Sequence, residues 1–174
     1  MLSNQRIYII GFMGSGKTTA GKKLASLLGW SFVDLDKAIE EFSGKTIPEI
    51  FSEKGEDFFR KVESSVLKNL NNEINIVVST GGGTPCNGDN MEYMLKTGLT
   101  IYLKLTPGQL KSRLVEAKED RPLIKELNNS ELLGFIENKL SIREKWYNLA
   151  EITLNGIDLD INLTKSIVLG HLKS

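Results

Sequence analysis

Residues 11–18 read Gly-Phe-Met-Gly-Ser-Gly-Lys-Thr, and they constrain the fold of this chain more than any other segment. They fit the pattern Gly-x4-Gly-Lys-Ser/Thr, in which a glycine-rich loop between a strand and a helix surrounds phosphates with backbone N–H groups. The alternative is an ordinary glycine-rich turn. The flanking residues favour phosphate binding, because an apolar run (6–10) precedes the motif and a segment with helical periodicity (18–29) ends at a glycine.

The residue types within this loop have chemical reasons. Glycines let the backbone curl and leave room for a triphosphate. Lys17 would carry a positive charge to the β- and γ-phosphates, and the Thr18 hydroxyl would ligate Mg²⁺. A helix that begins here adds the positive end of its dipole. We expect six residues to bind ATP: Gly14, Ser15, Gly16, Lys17, Thr18 and Thr19.

Composition argues against several other kinds of site. Lys and Arg (22) balance Asp and Glu (22), so no overall field favours nucleic acid or anionic membranes. The single cysteine, Cys86, excludes an internal disulfide, and the single histidine, His171, argues against Ser-His or Cys-His catalysis and against a His/Cys zinc site. Neither a membrane-spanning run nor a signal-peptide pattern is seen, so we expect a cytoplasmic protein without a nucleic-acid or membrane partner.

Five short apolar runs alternate with helical segments and predict the architecture. The runs are almost continuously hydrophobic, as parallel strands covered on both faces must be. Thr46 and Thr106 are each followed three residues later by Glu or Gln, the capping-box pattern of a helix start. We therefore predict a single α/β domain (1–174), a three-layer sandwich around a five-stranded parallel sheet. The predicted strands are 6–10, 31–34, 74–79, 99–105 and 152–154.

Residues 116–129 depart from this core-like patterning, since they are highly charged and contain Pro122. One interpretation is a solvated surface loop. The other is a lid that closes over bound nucleotide, because phosphoryl donors must be shielded from water. In the second interpretation Arg121 is the residue that the lid delivers to the phosphates.

Charged residues elsewhere in the chain are further candidates for the functional site. Asp34 ends the second predicted strand and Asp36 follows it, at the sheet edge where ligands bind, although helix caps and turns use Asp equally well. Arg60 and Glu63 have the spacing of a pair on one helical face, which by itself needs no function. Arg143 lies near the end of a long helix, where its charge would also complement the helix dipole.

Three consecutive glycines, Gly81, Gly82 and Gly83, follow the third predicted strand. One glycine is enough for a turn, so three in a row at a strand's carboxyl end indicate backbone that lies close against a ligand. A flexible turn is the alternative.

Together these residues resemble the shikimate kinase family over about residues 6–155. The family pattern combines the phosphate loop with Asp-x-Asp, Phe-Arg-x-x-Glu, Gly-Gly-Gly, Arg-Pro-Leu and Arg-x-x-x-Tyr-x-x-Ala. In this chain the elements stand at residues 11–18, 34–36, 59–63, 81–83, 121–123 and 143–150. The resemblance implies a P-loop fold like that of nucleoside-monophosphate kinases, with a mobile lid. It also implies transfer of the γ-phosphoryl group of ATP to the 3-hydroxyl of shikimate, in aromatic amino acid biosynthesis, with the use of Mg²⁺. We expect the protein to be a monomer.

The resemblance further implies roles for the acceptor side of the site. Asp36 would bind the ring hydroxyls, Arg60 and Arg143 would hold the carboxylate, and the backbone of Gly82, flanked by its two glycine neighbours, would contact the ring. The chemistry agrees, because arginines grip a planar carboxylate through paired N–H donors. A carboxylate beside the acceptor hydroxyl can orient it and take its proton.

On the nucleotide side, the resemblance places Asp34 near Mg²⁺ through water, Arg121 at the phosphates and Arg113 against adenine. The catalytic residues that it implies are Lys17, Asp34, Asp36 and Arg121. The segment that contacts adenine after the last strand is not recognisable in residues 155–158. The aromatic residues Phe51 and Phe59 are either pocket-lining or ordinary core.

Two other functions compete with this hypothesis. One is another small-molecule kinase on the same scaffold, such as a gluconate- or nucleoside-monophosphate-type enzyme, which would need a different acceptor pocket. The other is a non-catalytic nucleotide-binding module, which would not need the full set of Lys17, Thr18, Asp34 and Arg121.

Overall fold

The computed structural model describes residues 5–70, 74–116, 124 and 126–172. Its centre is a parallel sheet of five strands in the order β2-β3-β1-β4-β5. All five predicted strands are confirmed, and the largest difference is that β3 begins at Ile76 rather than at residue 74. The strands are β1 (Arg6–Ile10), β2 (Ser31–Asp34), β3 (Ile76–Ser79), β4 (Leu99–Lys104) and β5 (Ile152–Asn155).

Helices connect the strands and cover both faces of the sheet. Both predicted capping boxes are present: the Glu49 N–H donates to the Thr46 hydroxyl, and the Thr106 N–H donates to the Gln109 side chain at 2.9 Å. The described helices are α1 (Lys17–Leu28), α2 (Leu35–Ser43), α3 (Ile47–Asn69), α4 (Asn90–Thr97), α5 (Pro107–Glu116), α6 (Asn129–Tyr147) and α7 (Ile161–His171). A 3₁₀ turn covers Thr84–Cys86.

The central strand β1 shows why the molecule has three layers. All five of its residues are buried, and alternate side chains point to opposite faces. Tyr8 and Ile10 join the core under α2, α3 and α6, whereas Ile7 and Ile9 join the core under α1 and α7. The predicted α/β sandwich with a parallel sheet is therefore confirmed.

The ends of the strands position the candidate site. Because β1, β2 and β3 are parallel, the residues that follow Ile10, Asp34 and Ser79 meet at one edge of the sheet. Helix α3 is interrupted at Gly55, whose φ of 79° and ψ of 174° are non-helical. The second part of α3 begins after Gly55 and carries Arg60, whose guanidinium lies against Gly83 at this edge.

Most of the predicted lid, including Arg121, lies outside the described residues. Of the remainder, Ile124 is buried in the core, and the Asn128 side chain caps α6 by accepting from two backbone N–H groups. The lid and the single-domain boundaries stay predictions. Within the described ranges, no helix combines the length and apolarity needed to cross a membrane.

Candidate active site

The phosphate-binding motif has the strand–loop–helix arrangement that the sequence predicts. It joins β1 to α1, and Gly14 and Gly16 adopt φ values of 77° and 93°, which residues other than glycine rarely adopt. The Lys17 ammonium is buried against the loop and donates to the Phe12 carbonyl at 2.8 Å. The loop and the helix N-terminus thus form an anion-binding concavity with its lysine in place.

Three hydroxyl and carboxylate groups converge beside this loop. The Thr18 hydroxyl donates to Asp34 Oδ2 at 3.0 Å and lies 3.3 Å from the Ser79 hydroxyl. Asp34 also accepts a long hydrogen bond from the Lys37 N–H and so caps α2. The same carboxylate therefore caps a helix and lies at the candidate site. Oxygen donors of this kind suit Mg²⁺, which keeps water and phosphate ligands. Ser79 was not singled out from the sequence; only the pairing of β3 with β2 brings it here.

No cluster of three or more His, Cys, Asp or Glu side chains suited to a metal is found in the part of the chain that the structure describes.

Asp36 lies on the first turn of α2, since β2 ends at Asp34. The two carboxylates are therefore not alternate residues of one strand, as they would be if the strand continued. The Asp36 side chain is accessible to solvent in the cleft, but the protein atoms around it reduce its hydration. This desolvation of the carboxylate raises the pKa of Asp36 from 3.8 to about 6. The negative charge of Asp34 also raises the pKa, and Lys17 opposes the shift. A carboxylate with this pKa is suited to accept a proton near neutral pH.

The glycine turn at residues 81–83 lies against the three charged residues predicted to bind the acceptor. A Cβ atom on the first glycine would lie 3.0 Å from Asp36 Oδ1, and on the second 3.3 Å from Arg143 Nη1. On the third it would lie only 2.7 Å from Arg60 Nη2. The turn is therefore a packed surface, and absence of side chains is what lets the charged groups approach it.

Arg60 is held by two carboxylates. Its Nη1 donates to Glu63 at 2.9 Å, which confirms the predicted pair, and its Nε and Nη2 donate to Glu56 at 3.3 and 3.1 Å. Its guanidinium also lies 5.1 Å from the centre of the Phe59 ring. Burial lowers the pKa of Arg60, but the two carboxylates raise it by more, so the guanidinium stays charged.

Arg143 approaches the turn from α6, one helical turn before the helix ends. Its guanidinium lies 5.6 Å from the centre of the Phe12 ring. Tyr147, the next residue on this face, donates its hydroxyl to the Gly82 carbonyl at 2.5 Å, and burial raises the pKa of that phenol. This hydrogen bond joins the end of α6 to the glycine turn across 65 residues of sequence, and no local sequence pattern predicts it.

Arg113 connects the phosphate loop to the segment after β5. Its two terminal nitrogens donate to the Ser15 carbonyl at 3.0 Å and the Gly156 carbonyl at 2.8 Å. A cavity of about 350 Å³ opens here, lined among others by Thr19 and Ile157. Residues 155–158, which could not be interpreted from sequence, therefore border the phosphate loop.

A cleft of about 450 Å³ joins the phosphate loop to the glycine turn, and its lining includes Lys17, Thr18, Asp34 and Asp36. A larger groove of about 620 Å³ runs along β4, β5 and α6, but the phosphate loop does not line it. Of the predicted pocket aromatics, Phe59 is buried in the core and Phe51 is partly exposed, with ring centres 4.7 Å apart.

A phosphate loop after β1, in a parallel sheet of this strand order, defines a P-loop nucleotide-binding protein. The family model for shikimate kinase matches residues 13–165. The shikimate kinase of Parabacteroides distasonis is 43% identical over 164 residues, which cover 94% of this chain and 93% of the relative. The chain belongs to the shikimate kinase family.

Two solved structures extend this finding. The crystal structure of shikimate kinase from Bacteroides thetaiotaomicron has a TM-score of 0.89 and 39% identity, covering 98% of this chain and 99% of that one. Shikimate kinase from Acinetobacter baumannii in complex with shikimate has a TM-score of 0.82 and 34% identity, covering 98% and 93%. Members of the family are ATP-dependent kinases that phosphorylate a hydroxyl of shikimate, and this chain is an enzyme of that class.

Proposed function

We propose that the protein transfers the γ-phosphoryl group of ATP to the 3-hydroxyl of shikimate, giving 3-phosphoshikimate and ADP. Family membership supports this reaction in aromatic amino acid biosynthesis. The observation that carries the residue assignment is the contact of Asp36, Arg60 and Arg143 with one glycine turn, across a cleft from the phosphate loop.

On the nucleotide side, the amides of residues 14–19 surround the phosphates and Lys17 neutralises their charge. Thr18, Asp34 and Ser79 would hold Mg²⁺, with Asp34 acting through water. When bound, the ion neutralises charge on the β- and γ-phosphates.

Two further arginines complete the nucleotide side of the proposal. Arg113 would contact adenine, supported by its place between the phosphate loop and residues 155–158. Arg121 would reach the phosphates from a lid at about 116–129, and for this residue the support is the sequence motif alone.

On the acceptor side, Arg60 and Arg143 bind the carboxylate of shikimate, since planar guanidinium groups offer paired donors. The Gly82 backbone contacts the ring. Asp36 orients the 3-hydroxyl. As the hydroxyl oxygen bonds to the γ-phosphorus, its proton passes to Asp36, and the bond between the γ-phosphorus and the oxygen that bridges to the β-phosphate breaks, which releases ADP. The transition state is loose, so most of the rate enhancement comes from positioning and from charge neutralisation.

The test is an ADP-release assay with shikimate, quinate, gluconate and a nucleoside monophosphate as separate acceptors, with and without Mg²⁺. We expect Mg²⁺-dependent turnover with shikimate. Turnover confined to gluconate or to the nucleotide would identify a different small-molecule kinase. ATP binding without turnover of any acceptor would identify a nucleotide-binding module.

We also propose that the chain is a single-domain monomer of the cytoplasm. The free thiol of Cys86 supports a reducing compartment. Sedimentation equilibrium of the purified protein tests the oligomeric state, and a mass above that of one chain would contradict the monomer.

A further inference from the structure

We infer that Thr84 is a positioning residue for the acceptor: its hydroxyl holds Glu63, and Glu63 aims Arg60 at the carboxylate of the substrate. The inference rests on the role proposed for Arg60. Thr84 is not one of the residues singled out by the sequence motifs.

The two oxygens of the Glu63 carboxylate have different donors. The Thr84 hydroxyl donates to Oε1 at 2.6 Å, and Arg60 Nη1 donates to Oε2 at 2.9 Å. Thr84 is 0% exposed and Glu63 is 1% exposed, so water does not compete for either oxygen. Hydrogen bonds to a buried carboxylate are short and strong, and two donors on opposite oxygens fix its rotation.

Thr84 is itself fixed by the surrounding backbone. Its N–H donates to the Gly81 carbonyl at 3.2 Å, and its carbonyl accepts from the Asn90 side chain at 3.0 Å. The side-chain oxygen Oδ1 of Asn90 accepts in turn from the hydroxyl of Ser64, which lies on the same helix as Glu63, at 2.8 Å. The backbone of Thr84 is thereby bonded to the glycine turn and to α4, and α4 is bonded in turn to α3.

The other support of Arg60 is weaker. Glu56 holds the outer edge of the guanidinium, but its side chain is 63% exposed, and exposed ion pairs stabilise little. The buried Glu63 therefore sets the direction of Arg60. Without the Thr84 hydroxyl, one oxygen of a buried carboxylate loses its donor, and Glu63 rotates to recover a partner. Arg60 then follows Glu63 and its free donors turn away from the acceptor.

The main experiment compares Thr84→Val, which keeps the shape but removes the hydroxyl, with Thr84→Ser, which keeps the hydroxyl. A matched control is Thr100→Val, because Thr100 is also fully buried and its hydroxyl also donates to a glutamate, Glu151 at 3.1 Å, away from the cleft. We expect Thr84→Val to raise the KM for shikimate about tenfold, the size typical of one lost bond to a charged group, with the KM for ATP and kcat unchanged. Thr84→Ser and Thr100→Val should both keep the wild-type KM for shikimate.

A double-mutant cycle tests whether Thr84 acts through Arg60. In an Arg60→Met background, Thr84→Val should have no further effect on the KM for shikimate. A tenfold effect that persists there, or an unchanged KM in the single variant, would overturn the inference. If Thr84→Val does not fold, Thr84→Ala takes its place with the same expected split between the two KM values.

A measurement without substrate separates this inference from the proposed function. The Nε–H signal of Arg60 in NMR relaxation should report a rigid side chain in the wild type and in Thr84→Ser, and a mobile one in Thr84→Val. Equal rigidity in all three would overturn the positioning role even if shikimate is phosphorylated. A mobile side chain in Thr84→Val alone would support it even if shikimate proves not to be the acceptor.

Discussion

The two sides of the cleft are built in different ways. The phosphate loop is a continuous stretch of backbone between one strand and one helix, and its geometry follows from glycines at fixed spacing. The acceptor side consists of side chains from α2, α3 and α6 that meet at a glycine turn after β3. The first is therefore specified locally, and the second depends on contacts between residues far apart in the chain.

This difference predicts which kinetic constant each side controls. Groups that neutralise charge or accept the proton in transfer act mainly on kcat, whereas groups that hold the carboxylate of the acceptor act mainly on its KM. The kinetic experiments among the five that follow either separate the two sides or show that they are coupled.

Lys17→Met should have the largest effect, a fall in kcat on the order of 10²–10³, because one charge contact to the transferring phosphoryl group is lost. The ADP-release assay measures it, and calorimetry of shikimate binding to the free protein should be unchanged. A kcat close to that of the wild type would show that the phosphate loop does not do the work assigned to it.

Gly83→Ala should raise the KM for shikimate roughly 30-fold, since the new Cβ would lie 2.7 Å from the Arg60 guanidinium and overpacking of this kind displaces the side chain. The KM for ATP should not change. Gly134→Ala in α6 is the matched control, because a Cβ there meets nothing within 4 Å. Equal changes in both KM values of Gly83→Ala would show that the turn also shapes the nucleotide side.

The pH dependence should report Asp36. Protonated Asp36 cannot accept the hydroxyl proton, so kcat/KM should fall about tenfold per pH unit below a midpoint near 6. Asp34→Asn should move the midpoint down, because the charge of Asp34 raises the pKa of Asp36. A pH profile that is flat from 5 to 8 would exclude Asp36 as the proton acceptor.

The same pKa shift has a consequence for stability. A raised pKa in the folded state means that the contribution of Asp36 to stability is present below its ordinary pKa of 3.8 and is lost as the pH rises through about 6. At neutral pH the free energy of unfolding of Asp36→Asn should therefore be no lower than that of the wild type, although the variant loses its turnover.

Tyr147→Phe should have the smallest effect. It removes the bond to the Gly82 carbonyl, and denaturant unfolding should show a loss of about 1 kcal/mol, the usual size for one hydrogen bond. The KM for shikimate should rise only a few fold, because Arg143 remains on its helix. A large fall in kcat would contradict a purely supporting role.

Most of the fold could be predicted because its signals are local. Continuous apolar runs mark the five strands, and the capping boxes at Thr46 and Thr106 mark two helix starts. The contact of Asp36 with the glycine turn could not be predicted in the same way, because it depends on the pairing of β2 with β3, whose residues lie more than 40 positions apart. The residue assignments taken from the family pattern stay predictions until the variants are measured.

The sequence by itself determined the phosphate loop, the strand–helix alternation and the Arg60–Glu63 pair, because each depends on neighbours within a few positions. Only the tertiary structure decided that Ser79 joins Thr18, that Thr84 holds Glu63 and that residues 155–158 border the phosphate loop. The physical reason is that parallel pairing brings strand ends together irrespective of their separation in sequence. Polar groups that are brought together and buried in this way form specific hydrogen bonds, and no local sequence pattern predicts them.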